Sequence, residues 1–154
     1  MKPMRRADRQ MSESEAKVLL SRGEYGILST VDDNDQPYGT PVNYVFTKGA
    51  VYFHCATEGS KLQNIAANSK VGFTVVGKTQ VLPDKFATNY ESVIVSGSAV
   101  IVAGDEKVTA LEELLYKYSP DFLESGRQYI ANAKDNAVVV KINVEHLSGK
   151  HRVG

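Results

Sequence analysis

The sequence predicts a mainly β protein with inserted helices, arranged as an antiparallel split β-barrel. Three observations predict it. Short β-branched and aromatic runs follow one another across tight turns, at Asp32–Pro37 and at Thr47–Gly49, as antiparallel hairpins do. A long run from Tyr90 to Val102 is interrupted by Ser96-Gly97-Ser98, where a barrel strand would bulge or bend. The βαβ alternation of a doubly wound sheet is missing, as are GxGxxG, P-loop and GxSxG patterns.

Ser12-Glu13-Ser14-Glu15 is a capping box, and Val18, Leu19 and Leu20 follow it, so a helix is expected over about Glu13–Arg22, closed by Gly23. Glu24–Val31 alternates as a strand, with Ile27 and Val31 on one face and Leu28 on the other. Tyr38–Phe46 is expected as one continuous strand, followed across the Lys48-Gly49 turn by Ala50–Ala56. Ser60-Lys61-Leu62-Gln63 looks like a second capping box, opening a short helix to about Asn68. Val71–Val76 is a strand, and Gly77–Asn89 an irregular connection marked by Pro83 and Asp84. Asp105 is the expected cap of a helix over Glu106–Tyr118, whose stripe is Leu111, Leu114, Leu115 and Tyr118. Pro120 starts a further helical piece to about Ala131, Ala137–Val144 is the last strand, and Ser148–Gly154 is a polar tail.

A chain of 154 residues suits one domain, here 1–154 with an arm over about 1–11 and the tail from about 148. Eighteen basic residues balance eighteen acidic ones, so no general field draws nucleic acid or an anionic membrane. No apolar run is long enough to span a bilayer. The basic start, Met1-Lys2-Pro3-Met4-Arg5-Arg6, lacks an apolar signal core, which makes the cytoplasm the expected compartment. The lone Cys55 agrees with a reducing milieu. His54, His146 and His151 show no metal-ligand spacing, so no metal is expected.

The candidate site lies between Pro41 and Leu62. Strand alternation puts Val51, Phe53 and Cys55 on one face and Tyr52, His54 and Ala56 on the other. If the first face packs the core, His54 points to a surface or a pocket. The helix start at Ser60-Lys61 can receive an anion, although an ordinary capped helix with a solvated lysine has the same spacing. Pro41 cannot donate to a ladder, and Asn43 offers both donors and an acceptor to a heterocycle edge. A twisted edge strand with a polar outer face is the plainer alternative. With Pro41 placed across the Lys48-Gly49 turn and a short loop leading to Ser60, the three features are expected to converge.

In order along the chain, Met4-Arg5-Arg6 with Asp8-Arg9, Pro41-Val42-Asn43-Tyr44, Tyr52-Phe53-His54, Gly59-Ser60-Lys61-Leu62, Tyr90-Glu91-Ser92-Val93 before Gly97, and Ser148-Gly149-Lys150 form a set. By that set the chain resembles the pyridoxamine 5'-phosphate oxidase-like flavoproteins, and within them the nitroimidazole-reductase (Nim) group. The resemblance implies a split barrel of the FMN-binding type, a homodimer with flavin at its interface, and a small-molecule substrate. It implies that Ser60 and Lys61, with Leu62, hold the FMN phosphate, and that Thr40, Pro41, Val42, Asn43 and Tyr44 line the isoalloxazine. It places His54 by the ring or substrate as the catalytic candidate, and brings Tyr90 and Ser92 from a neighbouring strand or the partner subunit.

The longer arginine-rich phosphate signature of the pyridoxamine oxidases is absent, and His151-Arg152 sits in a short tail, which argues against vitamin B6 oxidation. The expected activity is an FMN-dependent oxidoreductase acting on a small aromatic or nitroaromatic acceptor, such as a 5-nitroimidazole, with nitroimidazole resistance as the associated trait. FAD or another flavin could replace FMN. The alternative is a flavin- or haem-binding storage or sensor module without turnover.

Overall fold

Turn chemistry and alternation build seven strands in the computed structural model, which describes residues 2–154. The strands are β1 (Gly26–Val31), β2 (Pro37–Val42), β3 (Val45–Thr47), β4 (Ala50–Cys55), β5 (Lys70–Leu82), β6 (Ala87–Val102) and β7 (Val138–Arg152). The helices are α1 (Glu13–Arg22), α2 (Ser60–Ala67), α3 (Gly104–Tyr118) and α4 (Leu123–Ala133). All pairings are antiparallel, in the order β2-β1-β5-β6-β7-β4-β3. The two strands at the ends of this order, β2 and β3, are separated by only Asn43 and Tyr44. A chain that leaves one edge of a sheet and enters the other within two residues forces the sheet to curl onto itself. This is the split barrel, open between β2 and β3.

That closure corrects the expected strand Tyr38–Phe46. It breaks at Asn43-Tyr44 and its halves serve opposite edges. Pro41 therefore faces Ile27 of β1; the hairpin across Lys48-Gly49 joins β3 to β4. Lys48 and Gly49 both have positive φ, 52° and 76°, as the tight primed turn of a two-residue hairpin requires.

The segment 77–89 is also regular where an irregular connection was expected. β5 and β6 continue past a register shift between Val76 and Thr79 as a hairpin arm, capped by a 3₁₀ turn at Pro83–Lys85. The polar tail is likewise strand: β7 runs on to Arg152, paired with β6. Gly97 marks a bulge as expected. The β6–β7 register shifts after Ser96, and a Cβ at Gly97 would lie 2.0 Å from the Asn143 carbonyl oxygen.

The capping box at Ser12 forms, its hydroxyl accepting from the Glu15 amide and the Glu15 carboxylate from the Ser12 amide. The capping box expected at Ser60 and the cap expected at Asp105 do not form. α2 starts one residue early, with Gly59 as its cap, and α3 starts from Ala103, leaving Asp105 in the first turn. α1 drops Ala16, Leu19 and Leu20 into the barrel core with Leu28, Phe53, Phe73, Val93 and Val95. On the outer face a second core forms under α3, where Ala110, Leu111 and Leu114 cover Val45, Ala50, Tyr52 and Val139. Among the described residues, no helix is long and apolar enough to cross a membrane.

Candidate functional site

The break between β2 and β3 builds the site. At Asn43-Tyr44 the backbone leaves both ladders, so its polar groups need other partners. The last turn of α3 supplies them. The Tyr44 amide donates to the Tyr118 hydroxyl at 3.0 Å, and that hydroxyl donates to the Glu24 carbonyl at 2.6 Å. The Lys117 ammonium donates to the Tyr44 carbonyl at 2.8 Å and sits 3.8 Å from the centre of the Tyr44 ring. Burial lowers the Lys117 pKa to about 8. Tyr44 itself is fully buried, packs edge-on against Phe73, and donates its hydroxyl to the Leu20 carbonyl. This corrects its expected place beside a flavin ring: Tyr44 is the anchor of the junction.

The β1–β2 register separates its neighbours. Thr40 and Val42 face inward opposite Leu28 and Gly26, and Val42 packs on the core, while Pro41 faces outward opposite Ile27. The Val42 side chain is thus taken by packing. Pro41, Val42 and Asn43 edge an open hollow shared with Glu24 and Tyr25.

Asn43 also lines a second space, a cavity of about 490 Å³ between the outer sheet face and the pair α3–α4. His54 lines it too, brought there by β4, whose inner residues Val51 and Phe53 are fully buried. The expected division of the β4 faces is what the structure has. Desolvation lowers the His54 pKa below its ordinary 6.5, so the imidazole is neutral at pH 7 and offers one donor and one acceptor. The remaining walls are chiefly apolar, with Leu111, Leu114 and Leu115 from α3 and Phe122, Tyr129 and Ile130 from the α4 side.

α2 begins beside this strand. Gly59 has φ 144° and no heavy atom near the place of a Cβ, and no side chain caps the helix. Its first turn carries no acid and does carry Lys61. Lys61 lies close enough to the Cys55 thiol, next to His54, to oppose the rise that burial gives the thiol pKa. Ser60 opens instead towards Tyr38, Gln63 and Asn64, and the Leu62 side chain packs on the core, which leaves only its first-turn amide to face an anion.

Tyr90 and Ser92 lie elsewhere. Their register partners are Arg152 and Lys150 of β7, and Tyr90 lines a hollow with Lys78, His151 and Arg152. Ser92 shares its outward face with Ile94 and, across β5, with Val76. Val76 and Ile94 are 59% and 48% exposed, so this part of the sheet has no helix over it. The chain therefore brings Asn43 and His54 together, starts the helix that bears Lys61 a short loop after His54, and keeps Tyr90 and Ser92 on a separate open face.

Sequence reasoning missed Lys117, Tyr118 and the α4 wall. The Leu111–Tyr118 stripe was visible, but its tip serves a strand break that alternation does not reveal.

The chain is similar to known proteins in fold and in family. No curated protein matches the chain by sequence. Among solved structures, a candidate 5-nitroimidazole antibiotic resistance protein from Bacteroides thetaiotaomicron superposes with a TM-score of 0.75 at 19% identity, over 92% of this chain and 86% of that one. The flavocytochrome Anf3 from Azotobacter vinelandii gives 0.82 at 19% identity, over 99% and 73%. A FAD and haem binding protein from Mycobacterium smegmatis gives 0.79 at 18% identity, over 95% and 74%. At these identities the likeness is one of fold. A family model described as pyridoxamine 5'-phosphate oxidase matches residues 12–151, nearly the whole barrel, and the chain belongs to that family.

Proposed function

We propose that the protein is a flavin-binding oxidoreductase, with FMN as the flavin and a small aromatic compound as the acceptor. The observation that carries this reading is the meeting of Asn43 and His54 on one cavity, next to an uncapped helix start bearing Lys61. The donor set fits a flavin phosphate: free first-turn amides, the Ser60 hydroxyl, the Lys61 ammonium and no acid in the turn. Pro41 and Asn43 offer the open hollow for the ring, apolar on one side and with an amide at its edge. A bound flavin supplies hydride or single electrons to an acceptor. Asn43 lines both the hollow and the cavity, so its amide can orient groups on either side. His54, neutral in its partly desolvated setting, can orient an acceptor by a hydrogen bond from its ring N–H.

Two similar structures, a flavocytochrome and a FAD and haem binding protein, support a flavin in this fold. The likeness to a candidate 5-nitroimidazole resistance protein makes a nitroimidazole one acceptor to test. A homodimer belongs to the same reading. The open sheet face with Val76 and Ile94 is apolar enough to seek a second copy, which would carry Tyr90 and Ser92 to the flavin edge.

The test is spectral. Purified protein should carry or take up FMN with flavin absorbance near 450 nm, and Lys61→Ala should weaken uptake by about tenfold, one charge-assisted contact's worth. A protein that takes up neither FMN nor FAD ends this reading. Haem is the rival ligand, because a neutral His54 beside an apolar cavity is a possible axial donor. A Soret band lost in His54→Ala would put haem in the flavin's place.

A further inference from the structure

We propose that the α3–α4 cavity receives a flat aromatic ligand of two or three fused rings with one acidic substituent, its ring edge at Asn43 and His54 and its acid at Lys134. This ligand class rests on the reading above, in which the Asn43–His54 end meets the acceptor.

Size is the first reason. A space of about 490 Å³ falls within the range, roughly 300–1,000 Å³, that encloses drug-sized ligands. A single five-membered ring would leave most of it empty or wet, and these walls offer water few partners.

The walls are the second. Phe122 and Tyr129 both line the cavity, yet they are 68% and 69% exposed. Tyr118 adds a third aromatic ring. Phe122 and Tyr129 thereby present stacking faces left open to solvent.

The roof is the third. α4 has no buried residue; it packs chiefly on α3 and the 3₁₀ turn that follows it, with Ile130 reaching the second core. Gly126 presses on Leu115 so closely that a Cβ there would fall 2.1 Å from Leu115 Cδ1. That contact fixes the spacing of α4 on α3, and with it one side of the cavity.

Charge is the fourth. Among the described residues lining the cavity, Lys134 alone carries a formal charge at neutral pH, at the exposed end of α4. Asn43 and His54 add a neutral amide and a histidine, both exposed. An acid therefore belongs beside Lys134, and an uncharged, hydrogen-bonding ring edge beside Asn43 and His54.

The experiment uses anthracene-2-carboxylate as a fluorescent probe, with anthracene-2-methanol and 2-methyl-5-nitroimidazole beside it, on the full chain with and without FMN. The carboxylate should bind saturably, one per chain, at least about tenfold tighter than the nitroimidazole. Ala133→Phe, which fills the cavity, should weaken it by about tenfold or more, and Tyr129→Ser, which removes a stacking face, by about threefold to tenfold. Lys134→Gln should weaken the carboxylate and leave the alcohol unchanged. Circular dichroism melting identifies any variant that has lost its fold, and either of the two cavity variants then suffices. Unsaturable binding, equal affinity for the single ring, or full affinity in a folded Ala133→Phe or Tyr129→Ser protein would overturn the proposal. So would a Soret band from haem seated on His54. FMN uptake is read separately at 450 nm. Flavin uptake with no probe binding overturns the cavity proposal alone; probe binding with no flavin uptake overturns only the flavin reading.

Discussion

His54 on the cavity and Lys117 at the strand break show how desolvation sets charge. The folded pKa of His54 lies below its unfolded value near 6.5, with desolvation as the cause. As pH falls below 6.5 the unfolded chain takes a proton that the folded site resists, so His54 makes the fold less stable with acid down through its folded pKa. Above 6.5 both states are neutral and the term vanishes. An NMR titration should therefore give His54 the lower midpoint when compared with the free imidazole value, and His54→Gln should reduce the loss of stability on the acid side. Lys117 has the same sign at the other end of the scale. Its folded pKa is about 8 against an ordinary 10.5, again through desolvation. Between those values the unfolded chain holds the proton and the folded chain has released it, so this group raises stability as pH climbs from 8 to 10.5. Denaturant titrations of the wild type and Lys117→Met across that window should show the rise in the first and not in the second. An equal pH response in both would show that Lys117 is solvated as an ordinary surface lysine.

Among the elements, the strand break at 43–44 depends on α3 more than on either strand. Tyr118 satisfies the Tyr44 amide and holds the Glu24 carbonyl with the same hydroxyl. Tyr118→Phe keeps the ring and removes both bonds, which should cost about 1–3 kcal/mol because a part-buried amide is left without its partner. Chemical denaturation measures this, and FMN uptake should weaken alongside it if the junction positions Asn43. The β6–β7 bulge is the second sensitive element. At Gly97 a methyl group would meet the backbone of Asn143, which no rotamer change can relieve. Gly97→Ala should destabilise by about 1–3 kcal/mol or more, as overpacking against a fixed neighbour does. An unchanged melting temperature would mean that the bulge slides freely.

Across the whole molecule, the sheet is covered unevenly. α3 and α4 shield the outer face near β3 and β4, while the face around Val76, Ile94 and Ser92 has no helix over it. Sedimentation at micromolar concentration should show a dimer, and Ile94→Lys should shift it towards monomer because a charge there would be desolvated on association. FMN should raise the melting temperature of the wild type more than that of Ile94→Lys if two copies share the ligand. A wild-type protein that sediments only as monomer would remove the second copy from the proposed site.

The sequence by itself determined the local parts. The capping box at Ser12, the Lys48-Gly49 hairpin, the bulge at Gly97 and the two faces of Ala50–Cys55 follow from short-range chemistry, and the structure has them as expected. The ordered motifs also carried the family. Tertiary structure decided where the strand Tyr38–Phe46 would break, because its alternation runs unbroken through Asn43-Tyr44 and only barrel closure imposes the change of edge. It decided that Tyr44, Val42 and Leu62 serve the core, since a pleat shows which residues share a face but not which face is buried. It turned the segment 77–89 and the tail 148–152 into strand, because long-range ladder pairing overrides weak local preference. The cavity beside His54 came from tertiary structure alone: its far wall is α4, some seventy residues downstream in the chain.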